Sequence, residues 1–282
     1  VKGLLSVLAK RYIAGETITD ALNAAKRLSG DGILAAIDNL GENVRDEQGA
    51  HSAVREYLKL LDDIICSGVR STVSVKLTQL GLDVSDELAF RNASAIAAKA
   101  LSHNNFVWID MEGSAYTQRT IDLLLKLRRD CPNVGVALQS CLKRSRSDLR
   151  LLIENHASVR LVKGAYKEPP EISFKDKKDV DKNFEAMMKE LLIEGNRPAI
   201  ATHDERLINA AITFASEHNI QPKDFEFQML LGIKRSLQKK LASMGYAVRV
   251  YIPYGTNWLP YTMRRLMERK ENVFFVLKNI FD

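Results

Sequence analysis

Ser71-Thr-Val-Ser-Val-Lys-Leu-Thr78 is the stretch that decides the fold. Its β-branched and apolar residues predict a strand that is buried on both faces, as the strands of a parallel sheet are. On either side, residues 48–67 and 86–102 carry patterns that predict helices. A buried strand between two helices is the unit from which parallel α/β folds are built.

Similar apolar runs alternate with helical patterns along the whole chain. The runs lie at residues 32–38, 71–78, 106–112, 134–140, 158–166, 198–203, 225–230 and 249–252. Eight strand–helix repeats predict an α/β fold, a (βα)8 TIM-like barrel with an N-terminal helical arm. We place the arm at residues 1–28, with a break at Gly15 and Thr17 or Thr19 as the N-cap, and the barrel at 29–282. A doubly wound open sheet is the alternative, which the number of strands disfavours.

The composition fits one large globular domain of 282 residues, 46% hydrophobic and 27% charged. The net charge of +6 suits an anionic cofactor, an acidic substrate or an anionic membrane surface, while the dispersed basic residues give little support for nucleic acid. Three cysteines without a C-x-x-C pair, and five histidines without H-x-x-x-H, argue against disulfides or a metal and favour a reducing, cytoplasmic compartment. No apolar run reaches about 18 residues, so no membrane span is expected. The amphipathic start permits peripheral contact with the inner face of the plasma membrane.

Several polar residues stand at the carboxyl ends of the predicted strands, where barrels of this kind build their active sites. Lys and Arg are rarely buried unless they are paired or functional. Lys76 and Arg160, inside apolar runs, therefore indicate a site for an anion or a carboxylate, with a core ion pair between Lys76 and Asp110 as the structural alternative. The full set is Glu42, Lys76, Asp110, Gln139, Arg160, Lys163, Tyr166, Thr202, His203, Gln228 and Tyr251.

A further helix is predicted after the last strand, opening near Leu259 with Pro260 in its first turn. Tyr261, Arg264 and Arg265 share one face of this helix. Paired guanidinium groups suit a carboxylate or a phosphate. The alternative is a solvated basic face, which would contribute little to stability.

Motifs in these places resemble those of the bacterial monofunctional proline dehydrogenases, in order and over nearly the whole chain. Arg160-Leu-Val-Lys-Gly-Ala-Tyr166 and Tyr261-x-x-Arg264-Arg265 are highly specific together. The other matching pieces are Asp38-Asn-Leu-Gly-Glu42, Ser74-Val-Lys76-Leu-Thr78, Ile109-Asp-Met-Glu112, Leu138-Gln139, Ala201-Thr-His203, Phe225-Glu-Phe-Gln-Met229 and Arg249-Val-Tyr251.

The resemblance implies an FAD-dependent oxidation of L-proline to Δ1-pyrroline-5-carboxylate, by hydride transfer to flavin N5, as the first step of proline catabolism to glutamate. A membrane quinone would accept the electrons, and a separate pyrroline-5-carboxylate dehydrogenase would take the product. The barrel would hold FAD without a Rossmann fold, and no G-x-G-x-x-G follows a predicted strand. The residues implied to bind the cofactor are Met111, Gln139, Arg160, Val162, Lys163, Gly164, Ala165, Thr202 and His203.

The resemblance also implies roles on the substrate side. Asp110 and Arg160 are the implied catalytic residues, with Asp110 pairing with Lys76 or Arg160. Glu42 and Arg264 are implied to close the site as a lid pair. The implied substrate-binding residues are Lys76, Arg264 and Arg265 at the carboxylate and Leu161, Tyr166, Tyr251 and Tyr261 around the ring.

One departure from the family pattern concerns the cofactor's adenine. In the long bifunctional relatives an aromatic residue follows the tyrosine of the Arg160–Tyr166 motif, whereas this chain has Lys167. A more open adenine environment is therefore expected.

Three other functions remain open from the residues alone. The first is oxidation of hydroxyproline or another cyclic imino acid. The second is a Schiff-base aldolase on the same barrel, with Lys76 or Lys163 as nucleophile. The third is a non-catalytic basic barrel that binds anions or nucleic acid.

Overall fold

Eight parallel strands form a closed barrel in chain order, with the last strand hydrogen-bonded to the first. The computed structural model describes residues 11–267, and the side chains of residues 11–263. The strands are β1 (Leu34–Asn39), β2 (Ser71–Val75), β3 (Val107–Ile109), β4 (Val134–Gln139), β5 (Ser158–Val162), β6 (Asn196–Ala201), β7 (Glu226–Leu230) and β8 (Ala247–Tyr254). The predicted barrel is confirmed, and the open-sheet alternative is wrong.

Helices alternate with the strands. They are α1 (Ile18–Ser29), α2 (Glu47–Ser67), α3 (Asp86–Ser102), α4 (Thr117–Leu127), α5 (Ser145–Glu154), α6 (Lys177–Glu194), α7 (Glu205–Glu217), α8 (Arg235–Ser243) and α9 (Trp258–Met267). No helix within residues 11–267 combines the length and the apolar character that a bilayer-spanning segment requires.

The helix that precedes the barrel begins with a capping box. Thr17 accepts a hydrogen bond from the Asp20 backbone N–H at 3.2 Å, and Asp20 accepts one from the Thr17 N–H at 3.0 Å. This helix, α1, contacts β1 and β8, where the barrel closes. The predicted arm is thus present as a helix, although residues 11–17 are not helical and residues 1–10 lie outside the described part of the chain. The boundary at residue 28 stays a prediction.

Strand boundaries differ from the predicted ones where the backbone turns sharply. β5 ends at Val162 rather than Tyr166, because Gly164 adopts a φ of +110°, which interrupts extended backbone. β3 is also shorter than residues 106–112, and β8 is longer than residues 249–252.

The strands separate an apolar layer from a polar barrel interior. On β2, Val73 and Val75 belong to the main hydrophobic core. Ser74 lies on the other face, and its hydroxyl accepts a hydrogen bond from Arg160 of β5, across the barrel. At Gly135 a Cβ would lie 2.8 Å from the Trp108 ring, so this glycine leaves room for the indole.

Candidate active site at the carboxyl end of the barrel

A buried lysine connects the first three strands at their carboxyl ends. Lys76, which follows β2, places its Nζ 3.0 and 3.1 Å from the carboxylate oxygens of Asp38 in β1 and 3.0 Å from Oδ2 of Asp110, which follows β3. Asp38 is fully buried, and Lys76 is 6% exposed. The parallel register that pairs Asp38 with Ser74 brings these side chains together.

Arg160 of β5 completes the network from the opposite wall. Its Nη1 donates to Oδ1 of Asp110 at 2.6 Å, and its Nη2 donates to the Ser74 hydroxyl at 2.9 Å. The guanidinium also lies over the Trp108 ring, 4.8 Å from the centroid. Its Nε is buried and has no hydrogen-bond partner among the described residues. A buried N–H of this kind is suited to an acceptor that a ligand would supply.

Two tyrosines orient the carboxylates. The Tyr251 hydroxyl donates to Oδ2 of Asp110 at 2.7 Å and accepts a hydrogen bond from Lys76 at 3.1 Å. On α2, the fully buried Tyr57 donates to the Ser74 carbonyl at 2.8 Å, with its oxygen 3.5 Å from Oδ1 of Asp38. Asp110 therefore accepts hydrogen bonds from three side chains, which fixes both of its oxygens.

Burial and neighbouring charges shift the pKa values of four members of this network. Burial raises the pKa of Asp38. Burial also acts to raise the pKa of Asp110, but Lys76 and Arg160 outweigh it and the pKa is lowered. Burial acts to lower the pKa of Lys76, yet Asp38 and Asp110 hold it well above its usual value. Burial and Asp110 raise the pKa of Tyr251, so its hydroxyl keeps its proton near neutral pH.

The network is balanced in formal charge, with the cations Lys76 and Arg160 against the carboxylates Asp38 and Asp110. Attraction for an additional anion must therefore come from other cations. The predicted ones are Arg264 and Arg265 on α9, whose side chains lie outside the described residues. The lid pair of Glu42 with Arg264 falls outside them too, although Glu42 itself is half-buried.

A further buried carboxyl group, that of Glu112, lies outside the network of Asp38 and Asp110. Glu112 accepts hydrogen bonds from the Thr78 N–H at 3.1 Å and from the Thr78 hydroxyl at 2.5 Å, and burial raises its pKa. Its backbone carbonyl accepts a hydrogen bond from Gln139 Nε2 at 3.0 Å. This arrangement fixes the Gln139 amide at the end of β4.

The loop after β5 carries the rest of the predicted cofactor site. Lys163, with a side chain 25% exposed, lies 2.5 Å from Oδ1 of Asp181 and 2.9 Å from Oδ2 of Asp204. Gly164 and Ala165 are exposed. A phosphate at this loop could approach the backbone N–H groups, but it would share Lys163 with two carboxylates.

The remaining predicted residues are placed as follows. Thr202 is buried and its hydroxyl accepts a hydrogen bond from the Asp204 N–H at 3.1 Å. His203 Nε2 accepts a hydrogen bond from the Leu230 N–H at 2.9 Å. The others are Met111 and Leu161 in the main hydrophobic core, the partly buried Val162 and Tyr166, and Gln228, which is buried within β7.

Tyr261 on α9 reaches the barrel end. It is 6% exposed and packs in a small hydrophobic cluster with Tyr12, Ile13 and Leu40, against which Tyr251 also packs. The first turns of α9 thus lie next to the Tyr251 side of the network.

Sequence reasoning gave no role to four residues of this site, Asp38, Tyr57, Trp108 and Glu112, although Asp38 and Glu112 stand in the matching motifs. The sequence does contain a signal for Asp38 and Trp108. Each is a polar or bulky residue inside an apolar strand, and the alternation of side chains along a strand places it on the inner face of the barrel. Tyr57 had no such signal, because it lies on a helix among other buried residues.

The sequence of this chain is similar to those of proline dehydrogenases. The family model described as proline dehydrogenase matches residues 21–278. Proline dehydrogenase 1 of Bacillus subtilis is 40% identical over 272 residues, which are 96% of this chain and 90% of that protein. Proline dehydrogenase of Deinococcus radiodurans is 38% identical over 278 residues, with coverages of 97% and 90%.

A solved structure adds a match in three dimensions. Proline utilization A (PutA) from Bdellovibrio bacteriovorus, inactivated by N-propargylglycine, has a TM-score of 0.87 and 27% identity over 93% of this chain. This chain spans 33% of the length of that PutA chain.

Proposed function

Since the chain belongs to the proline dehydrogenase family, a family of oxidoreductases, we propose that it oxidises L-proline to Δ1-pyrroline-5-carboxylate with FAD as cofactor. The observation that carries this proposal is the buried network of Asp38, Lys76, Asp110, Arg160 and Tyr251 at the carboxyl end of the barrel. It supplies fixed charges and a protonated hydroxyl where a barrel enzyme binds its substrate.

The donor set of this end fits a flavin. Arg160 offers a buried N–H that no described residue accepts, and the flavin ring presents nitrogen and oxygen acceptors along one edge. Gln139 is fixed beside the same end, and the exposed Gly164–Ala165 backbone can receive the diphosphate. Lys163, Thr202 and His203 complete the residues that would hold FAD. When bound, FAD supplies the acceptor, at N5, for the hydride that leaves C5 of proline.

The chain's own residues then position the substrate. Arg264 and Arg265, on the helix that carries Tyr261, supply the net positive charge for the carboxylate, because the network itself is neutral. Lys76 adds a cation that its carboxylate partners keep protonated. Tyr251 and Tyr261 wall the ring and exclude water from it.

The Schiff-base aldolase alternative is disfavoured at Lys76. A nucleophilic amine must be neutral, so such lysines have lowered pKa values. Asp38 and Asp110 instead hold the pKa of Lys76 well above its usual value. Oxidation of hydroxyproline is the second candidate on the proline-type site, and a comparison of kcat/KM for L-proline and trans-4-hydroxy-L-proline decides between them.

A membrane quinone is the proposed acceptor for the electrons, and a pyrroline-5-carboxylate dehydrogenase is the proposed partner for the product. Both rest on the family. Reduction of a soluble quinone analogue by L-proline, catalysed by the purified protein, tests the first proposal.

The visible spectrum of the purified protein is the direct test of the function. We expect the absorption bands of oxidised flavin, and we expect them to bleach when L-proline is added without oxygen. If the flavin is present but stays oxidised after L-proline is added, the substrate is a compound other than proline. A colourless protein that FAD cannot reconstitute would contradict the proposal.

Gly164→Ala should lower both flavin content and thermal stability. The φ of +110° is strained for alanine, and the new Cβ would collide with Cys141 Sγ. Gly245→Ala is the matched control, since its φ is +87° but nothing lies within 4 Å of the added Cβ. Both variants should lose about 1–3 kcal/mol from backbone strain, and only Gly164→Ala should also lose flavin. Equal flavin content in the two variants would show that the loop is not part of the cofactor site.

A further inference from the structure

A cavity of about 500 Å³ opens at the amino end of the barrel, opposite the buried network of Asp38, Lys76, Asp110, Arg160 and Tyr251, which the proposed function makes the catalytic network. Its walls include the first residues of several strands, among them Leu34 of β1, Ser71 of β2 and Ala247 of β8. Lys76 and Asp110, by contrast, follow the last residues of their strands. The two sites therefore lie at opposite ends of the barrel interior, with the Trp108 side chain between them.

The inner wall of this cavity is aromatic and apolar. Phe106, Trp108 and Phe225 line it together with Leu34 and Pro198. Trp108 is 4% exposed, and it carries Arg160 of the catalytic network on its ring at 4.8 Å. An apolar body of the size of one aromatic ring would contact the Trp108 side chain here.

The rim of the cavity has unbalanced positive charge. Arg249 and Glu226 neutralise each other, with Nε 2.8 Å from Oε1. Arg70, Arg197 and Lys223 are exposed and make no ion pair with any residue that the structure describes. Asp224 is the one other carboxylate among the lining residues, so three free cations face one anion.

A buried hydroxyl in the wall lacks a partner. Thr72 is 8% exposed, and its Oγ1 makes no hydrogen bond to any described residue. Buried hydroxyl groups are ordinarily hydrogen-bonded, because an unmade hydrogen bond costs free energy. The apolar wall and the cationic rim are the parts of a site for one amphipathic anion.

We propose that the cavity is a second binding site, which takes a small organic molecule that joins an aromatic or branched apolar body to a carboxylate. The apolar body lies against Phe106 and Trp108, and the carboxylate faces Arg70, Arg197 and Lys223. The two sites lie at opposite ends of the barrel and share Trp108, whose ring lines the cavity and also contacts Arg160.

Fluorine NMR of the full-length holoprotein tests this proposal, with benzoate as the probe. The chain has 2 tryptophans, so 5-fluorotryptophan gives two resonances, and Trp258→Phe assigns the one from Trp108. Tetrahydrofuran-2-carboxylate, a proline analogue with oxygen in place of the amine, is kept saturating so that benzoate cannot act through the substrate site. Benzoate should shift the Trp108 resonance saturably, whereas the neutral isostere benzamide and inorganic phosphate should not.

The variants decide whether the rim cations matter. Arg70→Gln combined with Lys223→Gln should weaken benzoate binding about tenfold or more, while Arg91→Gln, an exposed arginine on α3, should leave it unchanged. The proposal is overturned by the absence of a shift at roughly 10 mM benzoate, by equal responses to benzamide or phosphate, or by unaltered affinity in the double variant. The resonance reports binding without turnover, so failure of the proposed enzymatic function would leave this result readable.

Discussion

Asp110→Asn is expected to lower kcat/KM for L-proline by about 100- to 1,000-fold, which corresponds to about 3–4 kcal/mol of transition-state stabilisation. The carboxylate accepts hydrogen bonds from Arg160 on Oδ1 and from Lys76 and Tyr251 on Oδ2. An amide of the same shape must turn its NH2 group toward one of these two sets of donors. Either orientation sets N–H against N–H or O–H in a buried site, which leaves the guanidinium or the ammonium unsatisfied.

Asp38→Asn is the matched control for this result. It makes the same chemical change beside the same lysine, but Asp38 makes no hydrogen bond to Arg160 among the described residues, whereas Asp110 does. Burial already raises the pKa of Asp38, so neutralising it removes less than neutralising Asp110. We expect kcat/KM to fall less than about tenfold in Asp38→Asn.

Steady-state kinetics with L-proline, at matched flavin content, compare the two variants. Thermal unfolding of both proteins shows whether each is folded at the assay temperature. If the two substitutions reduced kcat/KM equally, the contact between Asp110 and Arg160 would not be what positions the catalytic side chains.

The barrel and the identity of most rim residues could be predicted from the sequence, because both follow from local patterns. Eight apolar runs separated by helical patterns leave few alternatives for the topology. Once the barrel is assumed, residues such as Lys76 and Arg160 are assigned to the interior by their position in a strand, and the structure places both there. Their roles stay predictions.

The partners of these residues could not be predicted from the same patterns. Asp38 meets Lys76 only because β1 and β2 pair in the register that sets Asp38 opposite Ser74. Register depends on the packing of the whole sheet, not on either strand alone. The partner of Arg249 could not be predicted either. A motif drew attention to this residue, but only the pairing of β8 with β7 places it beside Glu226, at the amino end of the barrel.

The loop after β5 was the place where the local pattern was misleading. Residues 158–166 read as one extended run, yet the strand stops at Val162 and Gly164 takes a left-handed φ. Glycine permits that turn but does not require it. Gly164 lies close to Cys141, which is distant in the sequence, so this environment is not visible in the local pattern.

Lys76→Met should lower the free energy of unfolding by about 3–5 kcal/mol at pH 8, because it leaves two buried carboxyl groups without the cation between them. The loss should shrink as the pH falls. Lys76 acts to lower the pKa of both Asp38 and Asp110, so its removal raises both values. A carboxyl whose native pKa lies above its unfolded value of about 3.9 contributes its full stability below that value and loses it as the pH rises through the native pKa.

The unfolding temperature of Lys76→Met, relative to the unaltered protein, should therefore be depressed more at pH 8 than at pH 5. Lys59→Met is the control, since Lys59 forms an exposed ion pair with Asp63 on α2 and should show little change at either pH. Thermal unfolding of the three proteins at the two pH values gives the comparison. A depression that is independent of pH would mean that Asp38 and Asp110 stay ionised without Lys76, and that Arg160 and Tyr251 alone hold the charge of this site.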